Sequence, residues 1–154
     1  MTELALPKID KATVSRKNLI VSDLKKFTKE ENILSENDEI KPYETDALAA
    51  YKQTPLAVVL PETTEEVSKI LKYCYNENIK VIPRGAGTGL SGGALPLQDA
   101  ILLGLGKFNK ILEIDFENKC VVTQPGVTNL GITHAVQHKG YYYAPDPSSQ
   151  LACS

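Results

Sequence analysis

Cysteine is scarce in this sequence: Cys74, Cys120 and Cys153 lie far apart and form no C-x-x-C pair. An odd number of scattered thiols fits reduced cytoplasmic cysteines better than a disulfide framework or a zinc site. Long apolar runs are also missing, and charged residues interrupt the first thirty positions. We therefore expect neither a membrane-spanning helix nor a signal peptide, and the expected compartment is the cytoplasm.

A concentration of positive charge is missing as well. The chain has 17 Lys and Arg against 19 Asp and Glu, and its formal net charge is -2. Because the basic residues are spread along the chain, no surface is expected that would collect nucleic-acid phosphates. The 154 residues, of which 42% are hydrophobic and 23% charged, suffice for one globular domain with a real core.

Hydrophobic periodicity predicts a helix and then an irregular segment near the start of the chain. Residues 14–28 place Ile20, Leu24 and Phe27 at spacings of four and three, with lysines between them, which indicates an amphipathic helix. Residues 30–41 are acidic and polar and break any period. We predict loop or short turns there.

The segment after Pro55 carries the clearest signals. The apolar run 56–60 predicts a strand buried on both faces. Thr63 and Glu66 have the spacing of a capping box, and the helix that they open carries an apolar stripe formed by Val67, Ile70, Leu71 and Cys74. Residues 80–83 predict a second strand. A β-α-β unit results, with a right-handed crossover if its strands are parallel neighbours.

Three further apolar runs predict strands in a meander, at residues 100–103, 110–114 and 120–123. A second helix is expected at 128–139, where Thr128 caps its beginning and Gly140 follows its end. These elements define an α+β fold with a mixed sheet and flanking helices. We divide the chain into a helix and linker, residues 1–54, and a domain segment, residues 55–154.

Half of the ten glycines fall within one run. Glycine tolerates positive φ and has no Cβ, so such a loop can turn its backbone N–H groups towards a diphosphate. An arginine at its start adds a cation, and two hydroxyls can donate to phosphate oxygens. We predict an anion-binding loop rather than a flexible surface turn, formed by Arg84, Gly85, Ala86, Gly87, Thr88, Gly89, Leu90, Ser91, Gly92 and Gly93.

The type of loop follows from its context. Residues 87–92 satisfy G-x-G-x-x-G, and Glu113 lies about twenty residues further on, as in a dinucleotide fingerprint. That fingerprint must open a helix, whereas the strand near Ala100 leaves no room for one. A P-loop is excluded too, because no Lys-Ser or Lys-Thr follows the glycines.

Three ordered motifs carry a resemblance to a known family: residues 55–67, 82–93 and 145–149. They resemble the FAD-binding domain of the vanillyl-alcohol oxidase and p-cresol methylhydroxylase superfamily, and within it the glycolate oxidase flavin subunit and D-lactate dehydrogenase branch. The resemblance covers residues 43–154. It implies that the chain is the N-terminal part of a p-cresol methylhydroxylase-type FAD domain, and that the glycine loop wraps the FAD pyrophosphate.

The resemblance also implies a second set of cofactor-contacting residues. Gly126, in Gln124-Pro125-Gly126-Val127, matches a turn that approaches the cofactor in the family. The later segment lines the flavin site there, which adds Pro145, Asp146, Pro147, Ser148 and Ser149. Taken alone, that segment is also compatible with a proline-stiffened loop.

The function implied by the resemblance is FAD-dependent oxidation of a small 2-hydroxy acid such as glycolate or D-lactate. Electrons would pass to a partner subunit or a quinone-linked chain, which gives a route to peripheral attachment at the inner membrane. Relatives continue with the rest of the FAD domain and a cap domain that carries catalytic residues. We therefore expect a truncated, inactive piece that binds FAD weakly or not at all, exposes apolar surface and self-associates.

Two alternatives stay open at this point. A non-catalytic nucleotide- or anion-binding module could use the same glycine loop, and a reading frame ending at Ser154 would favour it. A longer frame with another glycine motif would favour the enzyme. A UDP-sugar reductase of the cell wall shares a distantly similar flavin domain, but the Pro-Asp-Pro-Ser element argues against it.

Other chemistry-bearing residues receive no catalytic role. His134 and His138 are four apart on the predicted second helix, but two ligands make no metal site, so we predict none. Residues 141–143 are three tyrosines, which we expect to pack at a sheet. Cys153 has no cationic neighbour in sequence that would activate it as a nucleophile.

Overall fold

The computed structural model describes residues 7–154. Four strands form one sheet in the order β1-β2-β4-β3, namely Ile33–Leu34, Ala57–Val59, Lys80–Arg84 and Ala100–Gly104 in chain order. β2 and β3 both run parallel to β4, and β1 pairs antiparallel with β2. The expected mixed sheet with flanking helices is therefore confirmed.

The predicted leading helix is two helices. α1 (Lys11–Ser15) and α2 (Lys17–Leu24) are separated at Arg16, whose backbone (φ -89°, ψ 7°) leaves the helical range. Ile20 and Leu24 are completely buried, as their spacing indicated. The helix ends earlier than predicted, at Leu24, and the chain turns at once towards the sheet.

The segment that we expected to be irregular contains a strand. Within residues 30–41 lie a 3-10 turn (Glu30–Asn32), β1, and α3 (Asn37–Ile40), which runs into a second 3-10 turn (Lys41–Tyr43). The strand escaped prediction because it is only two residues long, and only its pairing with Val58 and Val59 of β2 defines it.

The β2-helix-β3 prediction is confirmed in its elements. α4 spans Thr64–Asn76, and the Thr63 hydroxyl accepts the Glu66 N–H at 3.2 Å. The Glu66 carboxylate accepts the N–H of Glu62 at 2.7 Å, one residue before the cap. β2 and β3 are parallel but not neighbours, because β4 lies between them. A right-handed crossover was expected only if β2 and β3 were neighbours, so that expectation does not apply here.

The predicted meander is wrong for its first strand. β4 lies inside the parallel sheet, while β5 (Ile111–Asp115) and β6 (Cys120–Thr123) form a separate antiparallel pair. The physical reason is the long segment 85–99, which returns the chain to the opposite edge so that β4 enters parallel to β3. All five residues of β4 are buried, as suits a central strand.

The core occupies both faces of the sheet. Alternate residues of a strand point to opposite faces, so Ala57 and Val59 belong to the larger cluster and Val58 to the smaller one. The larger cluster joins the sheet to α2 and α4 through Ile20, Leu24, Ile70 and Cys74. Burial raises the pKa of the Cys74 thiol to about 11, so this cysteine stays protonated in the core.

The last helix follows the sequence prediction closely. α5 spans Asn129–Val136 and continues into a 3-10 turn, Gln137–Lys139. The Thr128 hydroxyl caps it by accepting the Gly131 N–H at 3.1 Å. Gly140 ends it with φ 78°. Among residues 7–154, no helix has both the length and the apolar character needed to span a bilayer.

Candidate functional site

The glycine loop begins where β3 ends, at the carboxyl edge of the parallel strands. Gly87 (φ 72°) and Gly92 (φ 75°) adopt the left-handed conformation that glycine accommodates without strain. No helix begins in the loop, and residues 85–93 lie outside every strand. The N–H groups of the loop are therefore taken up neither by a sheet ladder nor by a helix, and the absence of a helix in the loop is as expected when the dinucleotide fingerprint was rejected.

The backbone amides of this loop are free. Within the described part of the chain, no N–H of residues 85–93 donates a hydrogen bond to another protein atom. All nine residues are exposed or half-exposed. Free, adjacent N–H groups at a strand end form the kind of concave donor surface that anions occupy. The residues present therefore fit a bound diphosphate.

Arg84 points into the base of the loop. Its side chain is buried, and Nε and Nη2 donate to the carbonyl oxygen of Ala94 at 3.2 and 2.6 Å. Burial lowers the pKa of Arg84, and the negative charge of Asp46 opposes that shift. The guanidinium thus joins the two ends of the loop by hydrogen bonds. Its predicted contact with phosphate stays a prediction.

The second group of predicted residues lines one cavity of about 610 Å³. Pro145, Asp146 and Pro147 form one wall, and Gln124, Pro125 and Val127, the neighbours of Gly126, form another. Ser148 and Ser149 are not part of this lining. The carbonyl of Ser149 instead accepts the N–H groups of Ala152 and Cys153 at 2.8 and 2.7 Å.

This cavity and the glycine loop meet at Ser154. Ser154 belongs to the cavity wall, and its hydroxyl lies 2.9 Å from the position that a Cβ on Gly85 would take. The second and third motifs quoted from the sequence therefore lie close to each other on one side of the molecule, although about fifty positions separate them.

Close packing explains why residue 126 is a glycine. Its N–H donates to the Phe108 carbonyl at 2.6 Å. A Cβ here would lie 2.7 Å from the carbonyl oxygens of both Leu105 and Phe108. The turn of residues 124–127 thus fits closely against the turn that follows β4. Contact of Gly126 with a cofactor stays a prediction.

Sequence reasoning missed Asn129. Its N–H donates to the Cys153 carbonyl at 2.9 Å, and its Nδ2 donates to the Pro145 carbonyl at 2.8 Å. It therefore ties both ends of the segment 145–153 to the first turn of α5. An amide side chain directly after a capping threonine was the available signal, but its partners lie far along the chain.

The residues that received no catalytic role are placed as follows. His138 meets the Phe116 ring edge-on, with ring centroids 6.0 Å apart. Residues 141–143 lie outside any strand and Tyr142 is 74% exposed, but all three tyrosines line a cavity together with residues of β5 and β6. These rings follow the turn at Gly140. Tyr141 packs against Phe116, with ring centroids 5.6 Å apart.

The fold and this site define a class, the FAD-binding domains. A family model described as "FAD binding domain" matches residues 55–154. The chain belongs to this family, which identifies FAD as the cofactor of the domain.

Individual relatives support the narrower resemblance. The glycolate oxidase subunit GlcD of Escherichia coli (strain K12) is 47% identical over 150 residues, which cover 97% of this chain and 29% of that protein. A D-lactate dehydrogenase of Anaerostipes hadrus is 38% identical over 117 residues, 75% of this chain and 25% of that protein. The chain thus spans less than a third of the length of either relative.

A solved structure supports the fold. The crystal structure of p-cresol methylhydroxylase with substrate bound superposes with a TM-score of 0.72 at 26% identity, covering 89% of this chain and 27% of that one. The resemblance stated from three sequence motifs is therefore confirmed.

Proposed function

We propose that this chain supplies the diphosphate-binding part of the FAD site in a dehydrogenase that oxidises glycolate or D-lactate. The observation that carries the proposal is the set of free amides at residues 85–93. Bound FAD would supply the hydride acceptor for the CH–OH carbon of the substrate. The chain's own residues bind and orient the cofactor, and none of them is assigned to the reacting atoms.

The positions of the glycine loop and the cavity support a division of roles within the site. The amides of residues 85–93, with the hydroxyls of Thr88 and Ser91, would bind the pyrophosphate. The cavity lined by residues 145–147 and by Gln124, Pro125 and Val127 meets the glycine loop at Ser154 and would receive the flavin end of the cofactor. Its mostly apolar walls suit a ring system.

The partners and the compartment belong to the same proposal. The Escherichia coli relative is described as a subunit. The word supports a second subunit as the recipient of the electrons. Location in the cytoplasm, with attachment to the inner membrane through that subunit, is part of the same proposal. Leu112, Val122 and Tyr142 are 61%, 47% and 74% exposed. That apolar surface supports self-association of the chain.

Titration of flavin fluorescence with the chain tests the FAD site. We expect weak quenching that inorganic pyrophosphate reverses, because both ligands would compete for the same amides. Gly89→Asp should abolish quenching. A Cβ at Gly89 meets no atom within 4 Å, so the substitution adds a charge without a clash. Asn76→Asp adds the same charge at the opposite edge of the sheet and should leave quenching unchanged.

The same titration separates the proposal from its alternative. If pyrophosphate binds and FAD does not compete with it, the chain is an anion-binding module, and the flavin assignment is wrong. For the reaction itself, the reading frame that encodes this chain is expressed in full. Glycolate or D-lactate should then bleach the flavin absorbance, and unchanged absorbance with both acids contradicts the dehydrogenase assignment.

A further inference from the structure

A short segment upstream of the family-matched span lies against the glycine loop. We name residues 44–53 the clasp. The Ala47 N–H donates to the Gly87 carbonyl at 2.9 Å, and a Leu48 methyl lies 3.6 Å from the Cβ position of Gly92. Further along the segment 85–99, the Gln98 N–H donates to the Gln53 side chain at 3.3 Å. The clasp therefore contacts the segment 85–99 at Gly87, Gly92 and Gln98.

The clasp has its own internal hydrogen bonds. The Gln53 N–H donates to the Glu44 carbonyl at 2.8 Å, and the Thr45 hydroxyl donates to the Tyr51 carbonyl at 3.1 Å. Asp46 Oδ1 accepts the Leu48 N–H at 2.9 Å. This last bond fixes the turn in which Ala47 sits, so it determines where the Ala47 N–H points.

Burial of the Asp46 carboxylate is unfavourable to the folding free energy. The residue is 7% exposed, and its second oxygen, Oδ2, has no hydrogen-bond partner among the described residues. A buried carboxylate that is only half satisfied destabilises a fold unless nearby positive charge compensates for it. The nearby positive charge is the guanidinium of Arg84, because Arg84 Nε lies 3.7 Å from the Cβ position of Gly87, whose carbonyl accepts the N–H of Ala47, the neighbour of Asp46.

We propose that Asp46 is a positioning residue for the diphosphate loop. Through the clasp turn it holds the Gly87 carbonyl away from the anion. Through its charge it stabilises the cationic Arg84, which lies against Gly87 and donates to the Ala94 carbonyl. The identity of the ligand rests on the proposed function, but the clasp itself is a property of the ligand-free chain.

The chain offers a direct test, because Arg16 and Arg84 are its two arginines. An arginine-specific protease can cut after either one. Arg84 is buried and Arg16 is not, so the ratio of cleavage at Arg84 to cleavage at Arg16 reports opening of the loop against an internal reference. Asp46→Ala removes the acceptor of the Leu48 N–H together with the charge, and the ratio should rise about tenfold.

Two variants sharpen the result. Asp46→Asn keeps an acceptor oxygen for Leu48 and loses the charge, so the ratio should rise by a smaller factor. Asp115→Ala breaks a similar turn on the hairpin, where Asp115 Oδ1 accepts the Asn118 N–H at 2.9 Å, and the ratio should not change. An unchanged ratio in Asp46→Ala overturns the proposal. Equal acceleration at both arginines also overturns it, because Asp46 would then serve only general stability.

The same assay separates this inference from the cofactor assignment. FAD or inorganic pyrophosphate, added to the unsubstituted chain, should protect Arg84 further. If Asp46→Ala opens the loop as expected but neither ligand protects Arg84, the clasp stands and the FAD assignment fails.

Discussion

The parallel sheet and the β5-β6 hairpin differ sharply in what they bury. β2 and β4 are buried along their whole length, and both faces of the sheet carry a cluster of apolar side chains. Every residue of the hairpin is at least partly exposed, and Leu112 and Val122 face solvent. An isolated pair of strands has little stability of its own. The sheet therefore fixes the glycine loop, whereas the cavity wall at Thr123, Gln124 and Pro125 follows a hairpin that buries little surface of its own.

The largest expected effect tests that difference with one substitution in each region. Leu102 is completely buried in β4, within the cluster of Val58 and Ile40. Leu102→Ala should lower the free energy of unfolding by about 2–5 kcal/mol, because it leaves a cavity in the core. Leu112→Ala removes the same atoms from an exposed site and should change it by no more than about 0.5 kcal/mol. Urea unfolding followed by circular dichroism measures both.

If the two leucine variants lose equal stability, the contrast between the regions is wrong. The hairpin would then share one cooperative core with the sheet.

A smaller effect is expected where the two regions join. Gly126→Ala places a methyl group 2.7 Å from the carbonyl oxygens of Leu105 and Phe108. The backbone must shift, so the substitution should cost about 1–3 kcal/mol of unfolding free energy. Gly106→Ala is the matched control, because its Cβ would meet nothing within 4 Å. Similar losses in both variants would mean that backbone freedom, not the close approach, explains the glycine.

Local sequence signals predicted the elements better than their arrangement. α4 was predictable because a capping threonine precedes a 3.6-residue apolar period, and β2 because a short apolar run ends at a proline. The position of β4 was not, because strand order depends on where residues 85–99 return the chain. β1 was not predicted, because two residues are too few to show a hydrophobic period and only pairing with β2 defines the strand.

In the candidate site, too, local sequence signals predicted individual elements but not how distant residues contact one another. The glycine loop was predictable because clustered glycines have few other uses. The direction of the Arg84 side chain was not, because it depends on the Ala94 carbonyl ten residues later. Asp46 and Asn129 were missed because their significance lies in contacts with distant segments.

The smallest expected effect concerns the link between the sheet and the hairpin. Glu62 accepts hydrogen bonds from Lys29 at 2.8 Å, Lys107 at 3.0 Å and Asn32 at 3.2 Å. Lys107 lies in the connection between β4 and β5, so the network fastens that connection to the N-terminal segment. The hydrogen bonds from Lys29, Lys107 and Asn32 lower the pKa of Glu62 to about 2.

The pH dependence follows from this lowered pKa. The unfolded chain binds a proton at Glu62 near its ordinary pKa of 4.5, and the folded chain only near 2. The stabilisation is therefore present above the ordinary pKa and is lost as the pH falls towards 2. Glu62→Gln should be less stable than the unsubstituted chain at neutral pH, and the difference should shrink on acidification.

Glu65→Gln, at an exposed glutamate that makes no ion pair within residues 7–154, should show no such trend. A difference that stays constant from neutral pH to pH 2 would show that the carboxylate charge of Glu62 does not hold the two regions together.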